Sequence, residues 1–486
     1  MLWLTVGRVG TVILALGTVA LMTRHLGPEG YGIFRSAQAY MAFAQLLANI
    51  GLAAIVAREI AKPGADQARI LGNAVGLRLV SALVILGAAL AASWLMPYEP
   101  TVRLGILLAF AGFVALSCFQ TLIALFQQRL EQAGQVWAEV GGATALFVAA
   151  GVLSWLGVGP LPFVAAMSFA FLLQLLLAWL AAGRYLPLRP RFEWEEWKRL
   201  LRPALPLAFA NIFTLLYYRA DTVLLSLFQP AQAVGQYGVA TKVLDTAVGF
   251  TIMFTGLILP LLSRHGADAP KFRRFLQASF DALAVAVPGL AMAVLLFAEE
   301  VVVLIAGPAF QPSAAPLRIL SVTMALVSFT LLLRHAATAL DLQRRLLPGH
   351  VLAACLALLV YILAIPRAAE IGAAVGTVVG EFTVLAWTVG MLLRHGDVRL
   401  ALGPLAKALA AAVMAALVAM ATKRADLLWP LALGITGCAY LAGLFALRAI
   451  TLDTLFTVLG IGKPRPGVSG GGGSPEAGPG SDGMGR

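Results

Sequence analysis

Charged residues are scarce in this chain. Asp, Glu, Lys and Arg make up 12% of its 486 residues, about half of the roughly 25% typical of a soluble domain. Hydrophobic residues make up 60%, and the mean hydropathy is +0.89. Apolar runs of about 20 residues, long enough to cross a bilayer, recur almost to the end of the chain. Lipid offers the backbone no hydrogen-bond partners, so such runs must be helical. The sequence excludes an ordinary soluble domain and predicts an all-α polytopic membrane protein.

Cysteine is almost absent as well. Cys118, Cys355 and Cys438 each lie within an apolar run, which argues against a disulfide framework. No set of residues has the spacing of a metal site or of a nucleophile with its base, so we expect neither a cofactor nor a catalytic centre. The formal net charge of +12 comes mostly from Lys and Arg in short connections between apolar runs. That distribution is typical of membrane topology and predicts no nucleic-acid partner.

The apolar runs predict about fourteen membrane spans. They cover residues 2–23, 33–57, 72–96, 104–126, 135–155, 161–183, 205–227, 238–262, 275–298, 317–340, 350–365, 370–393, 404–422 and 428–448. Connections after even-numbered spans contain 19 basic residues, whereas those after odd-numbered spans contain 6. Because cytoplasmic connections are enriched in Lys and Arg, we expect a multi-pass protein of the cell membrane with both termini in the cytoplasm.

The first two spans and the seventh and eighth share one pattern. Each pair places charged residues in an apolar run and contains a Gly-rich connection, Leu26–Gly32 in the first pair and Val234–Gly238 in the second. At an offset of 207 residues, Arg35 falls on Lys242. Each copy would contain six helices, an even number, so both copies would have the same orientation in the membrane. This predicts two pseudo-symmetric six-helix lobes around a central cavity.

The repeat divides the chain into units. We predict an N-terminal lobe (1–183), a linker (184–204), a C-terminal lobe (205–395), two additional spans (396–450) and a disordered Gly/Ser/Pro tail (463–486). The linker is expected to form a helix in the cytoplasmic interface, because Trp194, Trp197 and Leu201 share one helical face. On the same helix, Glu195 can pair with Arg199 four residues later.

Ionisable side chains within spans indicate where a site could lie. Each costs about 2.5 to 3.5 kcal/mol on the insertion scale, so such groups normally face a cavity or a partner. Basic groups outnumber acidic ones here, which favours a hydrated cationic cavity for an anionic group such as a diphosphate. The alternative is that these polar positions hold helices together. The candidates for diphosphate binding are Arg8, Arg35, Arg219, Lys242 and Arg334. The orienting or cavity-lining candidates are Gln38, Asp221, Asp245 and Asn49, with Asp221 expected to orient Lys242 or Arg8. Glu381 is a candidate for cation coupling, or for a plain structural role.

Three segments resemble a known family. They are Arg24–Gly32 (Arg-His-Leu-Gly-Pro-Glu-Gly-Tyr-Gly), Tyr218–Asp221 (Tyr-Arg-Ala-Asp) and the Gly235–Gly238 connection. Over about residues 1 to 450, the chain resembles the polysaccharide-transporter branch, the oligosaccharide flippases, of the multidrug/oligosaccharidyl-lipid/polysaccharide exporter superfamily. The resemblance implies a transporter and not an enzyme. It would move an undecaprenyl-diphosphate-linked oligosaccharide from the cytoplasmic to the outer leaflet by alternating access, for a cell-surface polysaccharide. Membrane lipids are further implied partners, and a polysaccharide polymerase and glycosyltransferases are candidates.

Three other functions stay open. A lipid II flippase is similar, since related flippases use arginines in the first, second and eighth helices, where this chain has Arg8, Arg35 and Lys242. A multidrug/cation antiporter of the same superfamily should favour acidic and aromatic residues in its cavity. A membrane-embedded glycan polymerase or ligase should present a large outside loop with Arg and His. The basic excess and the short connections count against the last two functions.

Overall fold

The computed structural model describes residues 2–48, 51–129, 131–265, 269–396 and 398–449. The side chains of residues 2–6, 8, 54, 203–218, 257, 260, 261, 264, 265 and 269 fall outside that description. All regular elements in the described part are helices, which confirms the predicted all-α class. They are α1 (Leu2–Ala48), α2 (Leu52–Ile60), α3 (Gln67–Ser93), α4 (Pro100–Gln128), α5 (Ala133–Trp155), α6 (Pro160–Gly183), α7 (Trp194–Phe228), α8 (Ala231–His265), α9 (Ala269–Leu296), α10 (Ala298–Ala306), α11 (Ala314–Ala339), α12 (Leu347–His395), α13 (Gly403–Arg424) and α14 (Trp429–Ala446). Short 3-10 helices, Pro308–Ser313 and Gln343–Leu346, precede α11 and α12.

Ten helical segments of the described chain are long and apolar enough to cross a membrane. Two of them, Val9–Ala48 and Gln343–His395, contain 40 and 53 residues. At 1.5 Å per residue, each is at least about twice as long as the roughly 30 Å hydrocarbon layer is thick. The chain is therefore a multi-pass membrane protein. The predicted number of fourteen spans remains a prediction.

Helix α12 folds back on itself. Its backbone breaks at Ala369, whose φ is 42°. The Tyr361 hydroxyl lies 3.1 Å from Thr377 Oγ1, whereas sixteen residues of straight helix would separate them by about 24 Å. The ring of Tyr361 also packs against Gly376, where a Cβ would clash with it. The element thus consists of two antiparallel arms, which match the predicted spans 350–365 and 370–393.

Helix α1 breaks only at Gly27, with φ 66° and ψ −178°. The rest of the Leu26–Gly32 segment is helical, so the predicted connection is a single-residue interruption. The second predicted span, 33–57, is also shorter than expected. It ends at Ala48, and Gly51, in the left-handed region (φ 66°), precedes the short helix α2.

Buried Arg78 of α3 holds the end of α1 in place. It is 1% exposed, and its guanidinium donates hydrogen bonds to the carbonyl of Ala48 and, at 3.3 Å, to that of Ser117. Carbonyls in the last turn of a helix have no intrahelical partner and attract cations. The arginine therefore stabilises the C-terminus of α1 from a neighbouring helix.

The second predicted hairpin is wrong in position. Val234–Gly238 lies inside α8, and the turn occurs earlier, at Gln229 and Pro230 between α7 and α8. The glycines of this segment serve close packing instead. A Cβ on Gly235 would fall well under 3.0 Å from the backbone oxygen of Pro28, and one on Gly32 would collide in the same way with Ala231.

The linker also differs from its prediction. Residues from Trp194 onward are the first turns of α7, not a separate helix. Before them, the extended backbone lies along α3, where Arg191 N donates to the Gly72 carbonyl at 3.0 Å. The expected Glu195–Arg199 pair is absent from the structure, because Glu195 binds Lys198 at 2.9 Å.

Arg199 joins a different ion-pair cluster, which connects α7 to α2. Its guanidinium lies 3.2 Å from Glu196 and 3.2 Å from Glu59 of α2. The hydrogen bond from Lys62 and the charges of Lys62, Arg199 and Arg58 hold the pKa of Glu59 below its usual value, although burial opposes this effect. The N-terminal end of α7 is thereby fixed to α2.

Candidate functional site

A polar cavity of about 320 Å³ lies between α1, α4, α6, α7 and α8. Five sequence-predicted residues line it: Arg35 and Gln38 from α1, Arg219 from α7, and Lys242 and Asp245 from α8. The α1 residues share one face because they follow the period of 3.6 residues per turn. Gln45, which was not a candidate, lies two turns beyond Gln38 on α1 and also lines the cavity. Thr222, Phe113 and Phe171 complete the wall without any sequence signal that separated them from ordinary core residues.

Arg35 is held by neutral partners. Its Nη1 donates to Gln38 Oε1 at 2.6 Å, and its Nη2 lies 3.4 Å from Thr241 Oγ1. Its Nε is buried and has no hydrogen-bond partner. A guanidinium carries five N–H donors and a permanent charge. The side chain is therefore oriented toward the cavity with its permanent charge, whereas its Nε packs against Gly238 of α8 and is out of a ligand's reach.

The two α8 residues act differently. Asp245 Oδ2 lies 3.3 Å from Arg219 Nη1, so this carboxylate compensates one of the three cavity cations. Lys242, one turn earlier, has no ion pair among the side chains that the structure describes. It lies within electrostatic reach of Arg35 and Arg219 as well as Asp245. Among the described lining residues, three cationic groups and one carboxylate face the cavity, so their net charge is positive.

A close backbone contact between α1 and α8 lies beyond one end of the cavity, and its residues do not line the cavity. Helices α1 and α8 meet at Pro28 and Gly235, where only glycine fits. At the predicted offset of 207 residues, Pro28 falls on Gly235, so the contact joins equivalent positions of the proposed repeat. Beside it, the buried Tyr31 packs edge-on against Phe310, with ring centroids 6.0 Å apart. Arg35 and Lys242 follow seven residues after these two positions, about 10 Å further along each helix.

Asp221 occupies a separate buried network. Its Oδ2 accepts a 2.6 Å hydrogen bond from the Tyr237 hydroxyl, and its Oδ1 accepts one from the Thr222 backbone at 2.6 Å. The Tyr237 hydroxyl is also 3.3 Å from Thr377 Oγ1 of α12. The expectation that Asp221 orients Lys242 is therefore wrong. Its carboxylate instead ties α7 to α8 and α12, and Tyr237 is a partner that sequence reasoning missed.

The remaining candidates lie elsewhere. Arg334 of α11 and Glu381 of α12 do not line the cavity; Glu381 is 2% exposed, and Arg334 is its charged neighbour. His350 and His335 lie near the same arginine, so these residues form a second polar cluster. Asn49 and the side chain of Arg8 lie outside the described residues. Their predicted roles stay predictions.

A comparison with models of protein families shows the family of this chain. Residues 1–265, more than half of the chain, match the model of the family described as polysaccharide biosynthesis protein. The chain belongs to this family. The matched region contains α1, α7 and α8, which supply all the charged residues of the cavity. A comparison with curated protein sequences finds no significant match.

Solved structures show the same fold. The lipid II flippase MurJ in an inward closed conformation superposes with a TM-score of 0.79 at 9% identity, covering 92% of this chain and 99% of that one. A multidrug resistance transporter of the MATE family in an inward-facing conformation gives a TM-score of 0.61 at 15% identity, with coverages of 80% and 96%. A transporter of the same superfamily from Pyrococcus furiosus, described as having a binding pocket of reverse polarity, gives 0.58 at 13% identity, with coverages of 80% and 93%. The predicted polysaccharide family is thus confirmed, and the fold is the one found in transporters of the multidrug/oligosaccharidyl-lipid/polysaccharide exporter superfamily.

Proposed function

We propose that this protein is a flippase that moves an undecaprenyl-diphosphate-linked oligosaccharide from the cytoplasmic to the outer leaflet, for a cell-surface polysaccharide. The observation that carries the proposal is the charge of the cavity. Arg35, Arg219 and Lys242 face it, while Asp245 is its one carboxylate among the described lining residues. A cluster of cations within a membrane-spanning helix bundle is best satisfied by an anionic ligand, and a diphosphate is the anion of the lipid carriers that such families handle.

The magnitude of the attraction fits a diphosphate. Two unit charges 4 Å apart at an effective dielectric constant of 20 interact by about 4 kcal/mol. The ammonium of Lys242, which has no ion pair among the described side chains, could donate to phosphate oxygens, and the Arg35 guanidinium would add its charge. Asp245 weakens the field beside Arg219, which would help release. A site that must both bind and discharge its cargo is served better by this partial compensation than by three free cations.

The position of the cavity supports alternating access. From the positive-inside distribution we infer that the break of α1 at Gly27 lies on the outer side of the membrane and that the C-terminal end of α1, at Ala48, lies on the cytoplasmic side. The Pro28–Gly235 contact then closes the outer side, and the cavity lies on its cytoplasmic side. This is the state expected for loading a substrate made in the cytoplasm. The diphosphate and glycan would enter the cavity, and the prenyl chain would stay in the lipid.

The lengths of the connections between helices favour transport over catalysis. The described connections between helices are short, and the longest among residues 1–449 runs for only about ten residues. A polysaccharide polymerase and glycosyltransferases are the proposed partners, because they would consume and supply the lipid-linked oligosaccharide. Glu381, buried beside Arg334, remains the proposed site of cation coupling.

Two neighbouring functions have specific support. A lipid II flippase is favoured by the superposition on MurJ over 99% of that chain. A multidrug antiporter is favoured by the likeness to MATE transporters. The cationic cavity disfavours the antiporter, since cationic drugs would be repelled by the charges of Arg35 and Lys242.

Reconstitution in liposomes distinguishes these functions. We expect the protein to move a fluorescent undecaprenyl-diphosphate oligosaccharide to the opposite leaflet faster than it moves fluorescent lipid II, and not to accumulate a cationic dye under a proton or sodium gradient. Faster movement of lipid II would establish the lipid II flippase instead. Dye accumulation without lipid movement would overturn the proposal and establish the antiporter.

A further inference from the structure

A second groove, of about 860 Å³, lies between the two arms of α12. Because α12 folds back at Ala369, its first and last residues, Leu347 and His395, lie at the same membrane face. The arms touch there. The Trp387 ring packs against Gly349, where a Cβ would clash with it, and its indole Nε1 donates to the Arg345 carbonyl at 3.0 Å. No residue lines both this groove and the central cavity.

The mouth of the groove is strongly basic. Arg344, Arg345 and Arg394 line it, all three are exposed, and its wall contains no acidic residue among those that the structure describes. Within the described part of the chain, none of these guanidinium groups has a carboxylate partner, in contrast to Arg199 and Arg318 elsewhere. Three uncompensated arginines at one end of a membrane protein mark the cytoplasmic face and attract anionic headgroups.

Below its mouth, the groove is apolar. It runs past Gly390 and Ala386 to Leu352 and Phe382, whose side chains are 43% and 60% exposed. From Arg394 to Phe382 the helix rises about 18 Å, since each residue adds 1.5 Å. That is close to the thickness of one hydrocarbon leaflet, about 15 Å. The groove therefore combines a cationic end at headgroup depth with an apolar slot as long as an acyl chain.

We propose that this groove binds an anionic phospholipid of the cytoplasmic leaflet. Its phosphodiester lies among Arg344, Arg345 and Arg394, and one acyl chain lies along Leu352 and Phe382. A free phosphate would use only the mouth and leave the slot open. A zwitterionic phospholipid would fill the slot but lose the charge complementarity. The occupied groove joins the two arms of α12 and so stabilises the helix that contains Glu381.

Native mass spectrometry of the full-length protein tests this site directly. The protein is released from nanodiscs that contain phosphatidylglycerol and phosphatidylcholine in equal amounts, and bound lipids are counted. We expect wild type to retain phosphatidylglycerol in preference to phosphatidylcholine. Replacing Arg344, Arg345 and Arg394 together by Gln should weaken the retention of phosphatidylglycerol by at least about tenfold, because each basic residue near an anionic lipid strengthens the attraction for that lipid.

Two further variants separate specific binding from surface charge. The matched control replaces three exposed arginines outside the groove, Arg184, Arg189 and Arg202, by Gln and removes the same net charge. It should retain phosphatidylglycerol like wild type. Gly390→Leu fills the slot without changing any charge, since a Cβ there meets nothing within 4 Å. It should weaken phosphatidylglycerol retention although all three arginines remain.

The outcomes are distinct from those of the transport assay. Equal retention by the two triple variants, or equal retention of both lipids by wild type, would overturn the proposal. Unchanged retention by Gly390→Leu would reduce the site to a surface anion patch and contradict the acyl-chain slot.

Discussion

Gly235→Ala should shift the protein away from the state in which the outer side is closed. In the structure, a Cβ at this position would lie well under 3.0 Å from the Pro28 backbone oxygen, a distance that real Cβ atoms essentially never show. Helices α1 and α8 would have to separate by about 1 Å or more, and overpacking of this kind costs about 1 to 3 kcal/mol. The cost applies only where the helices touch, so the ratio of closed to open states should fall about 5- to 150-fold.

Cross-linking measures this shift. Glu29 and Gln232 are exposed beside the contact and can be replaced by cysteine after Cys118, Cys355 and Cys438 are changed to alanine. A short bis-maleimide should link the pair rapidly in the parent protein and more slowly in the Gly235→Ala variant. The matched control is Gly249→Ala on the same helix, where a Cβ meets nothing within 4 Å. It should cross-link like the parent, because the added methyl group meets no neighbouring atom. Alanine is also the better helix former by about 1 kcal/mol, so the helix itself is not weakened. Equal cross-linking in both variants would refute the close contact as the element that holds the outer side closed.

Three other variants test the charges. Asp245→Asn removes the carboxylate that compensates Arg219, so the affinity for farnesyl diphosphate, measured by microscale thermophoresis, should rise about fivefold or more; weaker binding would contradict the assigned role. Tyr237→Phe removes a donor from buried Asp221 and should cost about 1 to 3 kcal/mol, seen as a lower Tm in detergent, whereas an unchanged Tm would show that the hydrogen bond is dispensable. The Glu59 carboxyl has a lowered pKa in the folded protein, so its ion pairs stabilise at neutral pH, and that stability is lost as the pH falls from its usual pKa through the folded value. Glu59→Gln should therefore lower Tm at pH 7 and have little effect below pH values where the wild-type carboxyl is protonated; a pH-independent difference would argue against the ion pairs as its cause.

The sequence was most informative about composition and periodicity. The apolar runs predicted an all-helical membrane protein, and Arg35 and Gln38, singled out as ionisable and polar residues within a span, both line the cavity. The 207-residue repeat pairs Arg35 with Lys242, and both side chains line the same cavity. These predictions succeed because helical period and the cost of charge in lipid act locally along the chain, and a single sequence records them.

The errors arise where one residue type serves two physical roles. Glycines at Val234–Gly238 were interpreted as a turn, but Gly235 is needed for close approach to α1, and the turn lies at Pro230. Arg334 was expected to bind the diphosphate together with Arg35, yet on α11 it lies away from the cavity and near Glu381 of α12. Which helices pack together depends on contacts distant in sequence, and a stripe on one helix cannot specify its neighbour.

The direct test of the central claim is the rate of oligosaccharide-lipid movement in liposomes by Arg35→Gln, Lys242→Gln and their double variant. Arg424→Gln, which removes an exposed charge at the end of α13, is the matched control. The account predicts that each cavity variant moves the undecaprenyl-diphosphate oligosaccharide at least about tenfold more slowly at equal protein level, and that the control matches wild type. Unchanged rates in the double variant would contradict a diphosphate site in the cationic cavity.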